Sequence, residues 1–186
     1  MSDVERGSVL KLPGKGDYVD CGSNEAFDIT GAITIAAWTK VTGLDSRWEV
    51  IVATENYGLG LMGYKKDPNH VGLGYWYKNV WLETELDVDN QWHLMVVVCD
   101  GHEFALFVDG KLCDSKRVYA NAVMDTGPLY IGQTRGEEDD RSEGWKDGLI
   151  DDVRIYSYAF TADEVKDLYE GKEPPREKKR GSEKTE

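Results

Sequence analysis

Asp151 is the residue of this sequence whose position most needs a chemical explanation. It lies in the strand-like segment Gly148–Tyr156. Regular alternation places it on one face with Leu149, Val153 and Ile155. An ionised carboxylate among aliphatic side chains is costly unless a cation, backbone N–H groups or a bound metal satisfies it. Calcium is one such partner, because it takes about six to eight oxygen ligands and mixes carboxylates with backbone carbonyls.

A second group of carboxylates could support hydrolytic chemistry. Glu83, Glu85, Asp87 and Asp89 alternate with other residues, which places all four on one strand face. A retaining glycosidase needs two carboxyl groups about 5 to 5.5 Å apart, and positions two apart on a strand are separated by roughly 6 to 7 Å. The spacing therefore permits catalysis, but a solvated polar face is the interpretation we prefer.

The histidines do not form a recognisable catalytic or metal motif. His70, His93 and His102 lack both the HExxH pattern and a spaced metal-binding set. We interpret His93 as a strand residue with satisfied hydrogen bonds. The three cysteines also lack metal-ligand spacing, and their odd number leaves at least one thiol unpaired within the chain.

Charge and hydropathy exclude some classes of partner. The formal net charge of −13 repels phosphate backbones and anionic membranes, so we expect no nucleic-acid partner. No run of eighteen apolar residues exists, and membrane insertion is not expected. The first residues do not resemble a signal or transit peptide, which fits either a cytoplasmic protein or a module excised from a longer one.

The elements that must position these residues are short strands separated by glycine and aspartate. Asp100-Gly101 and Asp109-Gly110 join three strands into two hairpins, since Asp-Gly supports the positive φ angles of tight turns. Roughly a dozen strands and a single small helix are typical of two packed antiparallel sheets. The sequence therefore predicts an all-β jelly-roll sandwich.

The predicted helix covers residues 161 to 170. Thr161 and Glu164 have the spacing of a capping box, Phe160 can pack on Val165, and Gly171 provides a C-terminal stop. The folded domain is predicted to span residues 1–171. Residues 172–186 carry no apolar side chain except prolines, and we expect them to form a disordered tail or linker.

In this order the motifs resemble the laminin G-like jelly roll of the concanavalin A-like lectin/glucanase superfamily. The resemblance covers residues 8 to 170, and no single motif is specific without the others. The segments that carry it are Gly16–Asp20, Ile29–Trp38, Gln91–His93, Val96–Gly101, Leu106–Gly110 and Gly148–Val165.

The resemblance implies a sandwich that serves as a binding module of extracellular or cell-surface proteins, with one structural calcium ion and no catalysis. By the family-like arrangement, Asp151 would bind calcium together with the turns containing Gly14, Asp17 and Asp28, mostly through carbonyl oxygens. Trp38, Trp92 and Trp145 fall in the family-like core motifs, and we expect them to pack inside.

Aromatic side chains are the expected ligand platform, because sugar C–H faces lie flat on aromatic rings. The candidates are Trp48, Tyr57, Tyr64, Trp76 and Trp81. The leading hypothesis is a non-catalytic, calcium-stabilised module that binds a glycan or polysaccharide.

Two alternatives remain open. The first is a structural or protein-interaction domain with a protein partner. The second is a polysaccharide-degrading glucanase or lyase centred on Glu83–Asp87, although Glu83-Thr84-Glu85-Leu86-Asp87 departs from the alternating Glu-apolar-Asp-apolar-Glu pattern of glucanases.

Overall fold

A computed structural model describes most of the strand framework and the C-terminal helix. The described residues are 2–3, 6–12, 17–29, 31–42, 48–54, 58–62, 70–77, 80–87, 89–117, 127–133 and 148–173, with the backbone alone described at 2–3, 48–49, 58–62, 70–77, 80–81 and 85–87. Residues 174–186 of the predicted tail therefore lie outside the described part.

Within this part the chain forms strands with one short 3-10 turn, Glu25–Phe27, and one α-helix, α1, Ala162–Tyr169. The strands are β1 Ser2–Asp3, β2 Gly7–Ser8, β3 Leu10–Lys11, β4 Val19–Asp20, β5 Ile33–Val41, β6 Trp48–Ala53, β7 Gly58–Met62, β8 His70–Tyr77, β9 Val80–Asp87, β10 Trp92–Cys99, β11 Glu103–Val108, β12 Lys111–Arg117, β13 Tyr130–Ile131 and β14 Gly148–Tyr156.

Two six-stranded antiparallel sheets make up the sandwich. Sheet I has the order β12-β11-β10-β5-β14-β3, and sheet II has the order β4-β13-β6-β7-β8-β9. Strands β1 and β2 pair with each other in a separate two-stranded sheet. The all-β jelly roll with one C-terminal helix is confirmed.

The main core lies between the two sheets. Sheet I contributes alternate residues of its central strands, including the fully buried Ile35 and Val97. Sheet II contributes Ile51, Val52 and Leu82 to the same cluster. Ile51 and Val52 are consecutive and both face the core because the pairing of β6 with β7 shifts between Val50 and Val52. In the regular stretches, where side chains alternate across a strand, this packing assigns the remaining positions of each sheet to its outer face.

Helix α1 covers part of the outer face of sheet I. Its buried Val165 and Leu168 pack in one cluster with Phe160 and with sheet residues such as Val96. The predicted capping box is present: the Thr161 hydroxyl accepts a hydrogen bond from the Glu164 amide, and the Glu164 carboxylate accepts one from the Thr161 amide. No helix in the described part of the chain is long and apolar enough to cross a membrane.

The turn between β11 and β12 adopts the predicted hairpin geometry. Asp109 and Gly110 have φ angles of 50° and 75°, as a two-residue turn of positive φ requires. The turn also contacts the helix, because a Cβ atom at Gly110 would lie 3.3 Å from the Lys166 Cα atom. Glycine thus serves both the turn and the close approach of α1.

A β-bulge in β14 changes the expected faces of this strand. Asp152 has a φ of 50°, and the pairing with β5 shifts between Asp151 and Arg154. Ile150 is buried in the main core, and Val153 packs against the same core. The extra residue breaks the alternation, so the prediction that Asp151 shares a face with Val153 and Ile155 was wrong. Asp151 lies on the outer face of sheet I.

Candidate functional site

The outer face of sheet II brings together the positions best suited to a ligand platform. Tyr75 pairs with Leu82, which is fully buried in the core. The neighbouring positions Trp76 and Trp81 pair directly with each other, so they occupy the opposite, outer face.

The same row continues across the sheet through β6, β13 and β4. Ala53 pairs with Gly58 in one direction and with Tyr130 in the other, and Tyr130 pairs with Asp20. Ile131, next to Tyr130, packs against the core, which confirms that the row belongs to the outer face. Aromatic positions therefore lie at both ends of one row.

Tyr18 adds an exposed ring to this surface. It packs edge-on against Tyr130, with ring centroids 5.5 Å apart and an angle of 81° between the rings. Tyr18 is 47% exposed. Because Asp20 follows two positions later, the two residues lie on the same face of this strand segment. The sequence interpretation missed both tyrosines, although the alternation Tyr18-Val19-Asp20 around a core-facing valine could have identified the first.

Glycines separate the aromatic positions on this face. Gly60 pairs with Gly74, which pairs with Glu83 in the next strand. Gly72 pairs with Met62, and Met62 with Trp48. Since glycine has no side chain, the positions Gly60, Gly72 and Gly74 form a strip of bare backbone on this face, which we call the glycine lane. The exposed Glu83 lies beside it.

Three of the five predicted ligand aromatics, Trp48, Trp76 and Trp81, thus share one face. Tyr57 and Tyr64 lie outside the described residues, as does Trp145. Trp38 and Trp92 do not pack between the sheets as expected. They are half-buried on sheet I, where Trp38 packs against the outer cluster.

The carboxylates proposed for catalysis do not all remain on one strand. Glu83 to Asp87 belong to β9, but Asp89 follows the end of this strand. Its side chain accepts a hydrogen bond from the Gln91 amide at 2.9 Å and contacts His93 Nε2 at 3.2 Å. Burial opposes ionisation of Asp89, but the hydrogen bonds from Gln91 and His93 outweigh it and lower the pKa of this carboxyl group.

His93 is held between two carboxylates. Its Nδ1 lies 2.7 Å from Asp109 Oδ2, while Asp109 Oδ1 accepts a hydrogen bond from the Leu94 amide. Bonding to Asp109, with a further contribution from Asp89 and against the effect of burial, raises the pKa of His93. This agrees with the prediction of a satisfied strand histidine, since both ring nitrogens have acceptors.

Asp151 has a cationic partner from the N-terminal segment. Its Oδ2 accepts a hydrogen bond from Arg6 Nε at 2.6 Å. The Arg6 guanidinium carbon also lies 4.3 Å from the ring centroid of Trp38 and 5.3 Å from that of Trp92. The adjacent Asp152 pairs instead with Arg154 at 2.7 Å.

The residues proposed for calcium are only partly described. Asp17 and Asp28 are exposed, and Gly14 lies outside the described residues. Among the residues that the structure describes, no three acidic, histidine or cysteine side chains are grouped for metal binding. Because the predicted site relied mostly on backbone carbonyls, calcium remains a prediction.

These features define a lectin-like sandwich with aromatic positions on one outer face, and comparison with known proteins gives its family. A laminin G family model, described as the concanavalin A-like lectin/glucanases superfamily, matches residues 13–166. The chain belongs to this family. A comparison with curated proteins gave no significant match.

Solved structures share the fold at low sequence identity. A native heptameric SAP-like pentraxin from Limulus polyphemus has a TM-score of 0.65 and 15% identity, over 86% of this chain and 78% of that one. A structure of botulinum neurotoxin type C, whose cell entry depends on interaction with two ganglioside molecules, has a TM-score of 0.61 and 13% identity over 89% of this chain.

The binding domain of botulinum neurotoxin DC, in complex with rat synaptotagmin II, has a TM-score of 0.60 and 14% identity over 89% of this chain. In both toxin comparisons this chain spans 45% of the matched chain. At these identities the likeness establishes the fold.

Proposed function

We propose that this protein is a non-catalytic binding module that takes a carbohydrate on the outer face of sheet II. The observation that carries the proposal is the row of paired positions running from Asp20 and Tyr130 to Trp76 and Trp81. Aromatic rings stack on the C–H faces of sugars, and nearby carboxylates accept hydrogen bonds from sugar hydroxyls. The extracellular or cell-surface location implied by the family is part of the same proposal.

The glycine lane favours an extended ligand lying across the strands. A backbone without side chains at Gly60, Gly72 and Gly74 allows close approach, and the carboxylate of Glu83 stands at the rim of this lane. Related folds support the class of ligand, since cell entry of one neighbour, botulinum neurotoxin type C, depends on interaction with two ganglioside molecules.

The carboxylates of β9 serve recognition rather than hydrolysis in this proposal. The Glu83 amide donates a hydrogen bond to Asp114 Oδ2 at 3.1 Å, which ties the middle of β9 to the edge strand β12 of sheet I. Asp89 and His93 are engaged with each other. We assign none of these groups the role of nucleophile or acid.

Calcium is proposed as a structural ion. Asp151 offers the hard carboxylate oxygen that calcium prefers, and Arg6 is bound to Oδ2, so Oδ1 is the proposed ligand atom. Asp17, Asp28 and the carbonyl at Gly14 are proposed to complete the site. The ion would hold β14 to the segments that contain Gly14, Asp17 and Asp28 without contacting the sugar.

A glycan panel screened by array and then by isothermal titration tests the carbohydrate function. We expect Trp76→Ala and Tyr18→Ala each to weaken binding of a selected glycan by about tenfold or more, which corresponds to loss of about 1.4 kcal/mol. Tyr169→Ala, which removes an exposed aromatic of helix α1 beside sheet I, should leave the affinity unchanged. Absence of binding to every glycan, with and without calcium, would reject the carbohydrate proposal.

A protein ligand is the second candidate function, because one structural neighbour is bound to synaptotagmin. The same Tyr18→Ala and Trp76→Ala variants distinguish the two. A glycan-independent partner captured by the wild type and lost with either variant would reassign this face to protein recognition.

A further inference from the structure

The N-terminal arginine occupies a cage built by three neighbouring strands of sheet I. Trp38 on β5 pairs with Asp151 on β14, and Trp92 lies on β10 at the other side of β5. Arg6 lies over both indole rings and is hydrogen-bonded to the carboxylate. This combines the two interactions that recognise a guanidinium group, namely aromatic faces and a carboxylate acceptor.

The walls of the cage belong to the strands of sheet I. Trp38 is backed by Tyr169 of α1, with ring centroids 5.8 Å apart and 26° between the ring planes. Asp151 is held next to the bulge at Asp152. The cage residues are therefore positioned by the sheet and the helix, which are separate elements from the segment that carries Arg6.

Arg6, in contrast, belongs to a segment that lies outside both main sheets. Arg6 lies between β1 and β2, which are two residues each and form their own sheet. An isolated hairpin of this size is marginally stable. The side chains of Arg6 and Asp151 retain 22% and 23% of their exposure, so solvent and solutes reach the ion pair.

We propose that this cage is a binding site for the guanidinium group of an arginine on a partner polypeptide, and that Arg6 occupies it as a displaceable internal competitor. The net charge of −13 favours approach of a cationic partner. Binding exchanges one guanidinium for another at the same indole rings and carboxylate, so the N-terminal hairpin leaves the face of sheet I when the partner arginine enters. The site is separate from the proposed glycan face on sheet II.

The test uses N-acetyl-arginine amide as the probe and the neutral N-acetyl-citrulline amide as its matched control. Isothermal titration is performed with a calcium chelator present, so that an ion at Asp151 does not contribute. A tethered competitor acts at an effective concentration of roughly millimolar. Removing this competitor tightens binding by a factor of one plus the effective concentration divided by the dissociation constant of the cage for arginine. For a dissociation constant of about 0.1 mM, we therefore expect Arg6→Ala to bind the arginine probe about tenfold more tightly than the wild type.

Two further measurements define the site. The double variant Arg6→Ala/Asp151→Asn should bind the arginine probe no more tightly than the wild type does. The citrulline probe should bind no more tightly to Arg6→Ala than to the wild type. If Arg6→Ala is folded by circular dichroism but binds the arginine probe no more tightly than the wild type, the proposal is overturned and Arg6 is a structural tie.

The wild-type protein provides an independent readout if Arg6→Ala fails to fold. Because Arg6 lies over two indole rings, we expect its Nε–H resonance to be displaced from the value of a free side chain, and titration with the arginine probe should move it towards that value. A resonance that stays in place at probe concentrations well above the effective concentration of the tether contradicts the proposal.

Discussion

The hydroxyl group of Thr34, on the central strand β5, accepts a hydrogen bond from the backbone amide of Phe160 at 2.9 Å. The same hydroxyl donates to the carbonyl oxygen of Tyr158 at 2.8 Å. Thr34 is fully buried. A single side chain thus satisfies two backbone groups of the segment that leads from β14 into α1, and fixes where the helix meets sheet I.

Thr34→Val keeps the shape of the side chain but removes both hydrogen bonds. Because the Phe160 amide then remains buried without a partner, we expect the free energy of unfolding to fall by about 1 to 3 kcal/mol. Urea denaturation followed by circular dichroism measures the loss. Thr34→Ser is the control, since it retains the oxygen; an equal loss in both variants would mean that packing of the methyl group dominates.

Thr161→Ala removes the N-cap of α1. The Glu164 amide loses its acceptor, and we expect a loss of about 0.5 to 2 kcal/mol in the free energy of unfolding. Thr161→Ser should retain most of the stability because its hydroxyl accepts the same hydrogen bond. The comparison is made by urea denaturation, and an unchanged midpoint for Thr161→Ala would show that packing of Val165 and Leu168 alone holds the helix.

Local signals were sufficient to predict much of the fold. The capping box at Thr161 and Glu164 and the positive φ angles at Asp109 and Gly110 depend on residues close in sequence. The bulge at Asp152 has no such signature, since Asp supports either strand or left-handed backbone depending on its pairing partner. The alternation argument for Asp151 failed at this residue.

The candidate site was predictable only in part. The aromatic positions Trp48, Trp76 and Trp81 were identified by residue type, but their common face depends on register between strands, which the sequence of one strand does not specify. The pairing of Arg6 with Asp151 joins residues 145 positions apart. Such contacts follow from topology rather than from local pattern.

The histidine between two carboxylates predicts a pH dependence of stability. Because Asp109 and Asp89 raise the pKa of His93 in the folded state, the folded protein binds this proton more tightly than the unfolded chain does. The stabilising contribution is therefore complete below the unfolded value of about 6.5 and is lost as pH rises through the raised folded pKa.

His93→Gln removes the titrating group while retaining hydrogen-bonding capacity. We expect the difference in melting temperature between wild type and this variant to be largest below the unfolded pKa of histidine and to shrink as the pH rises above it. NMR titration of the His93 ring protons gives the folded pKa directly. A ring that titrates at or below the ordinary value of about 6.5 contradicts the assigned role of Asp109.

The calcium proposal predicts a chelator effect that depends on Asp151. A ligand that binds only the folded state stabilises it by mass action, by about 2.7 kcal/mol at one hundred times its dissociation constant. We therefore expect a chelator to lower the melting temperature of the wild type, and Asp151→Asn to abolish this difference. The variant also loses the charge that partners Arg6, so its melting temperature should lie below that of the chelated wild type.

Arg6→Gln separates the two cationic partners of Asp151. It removes the guanidinium but leaves the carboxylate intact, so calcium should still raise the melting temperature of this variant. Its response to calcium should be at least as large as that of the wild type, because calcium no longer shares Asp151 with a positive side chain. A wild-type melting curve that is unchanged by chelator, together with a lowered melting temperature in Arg6→Gln, would assign the stabilisation of Asp151 to Arg6 alone and reject the calcium site.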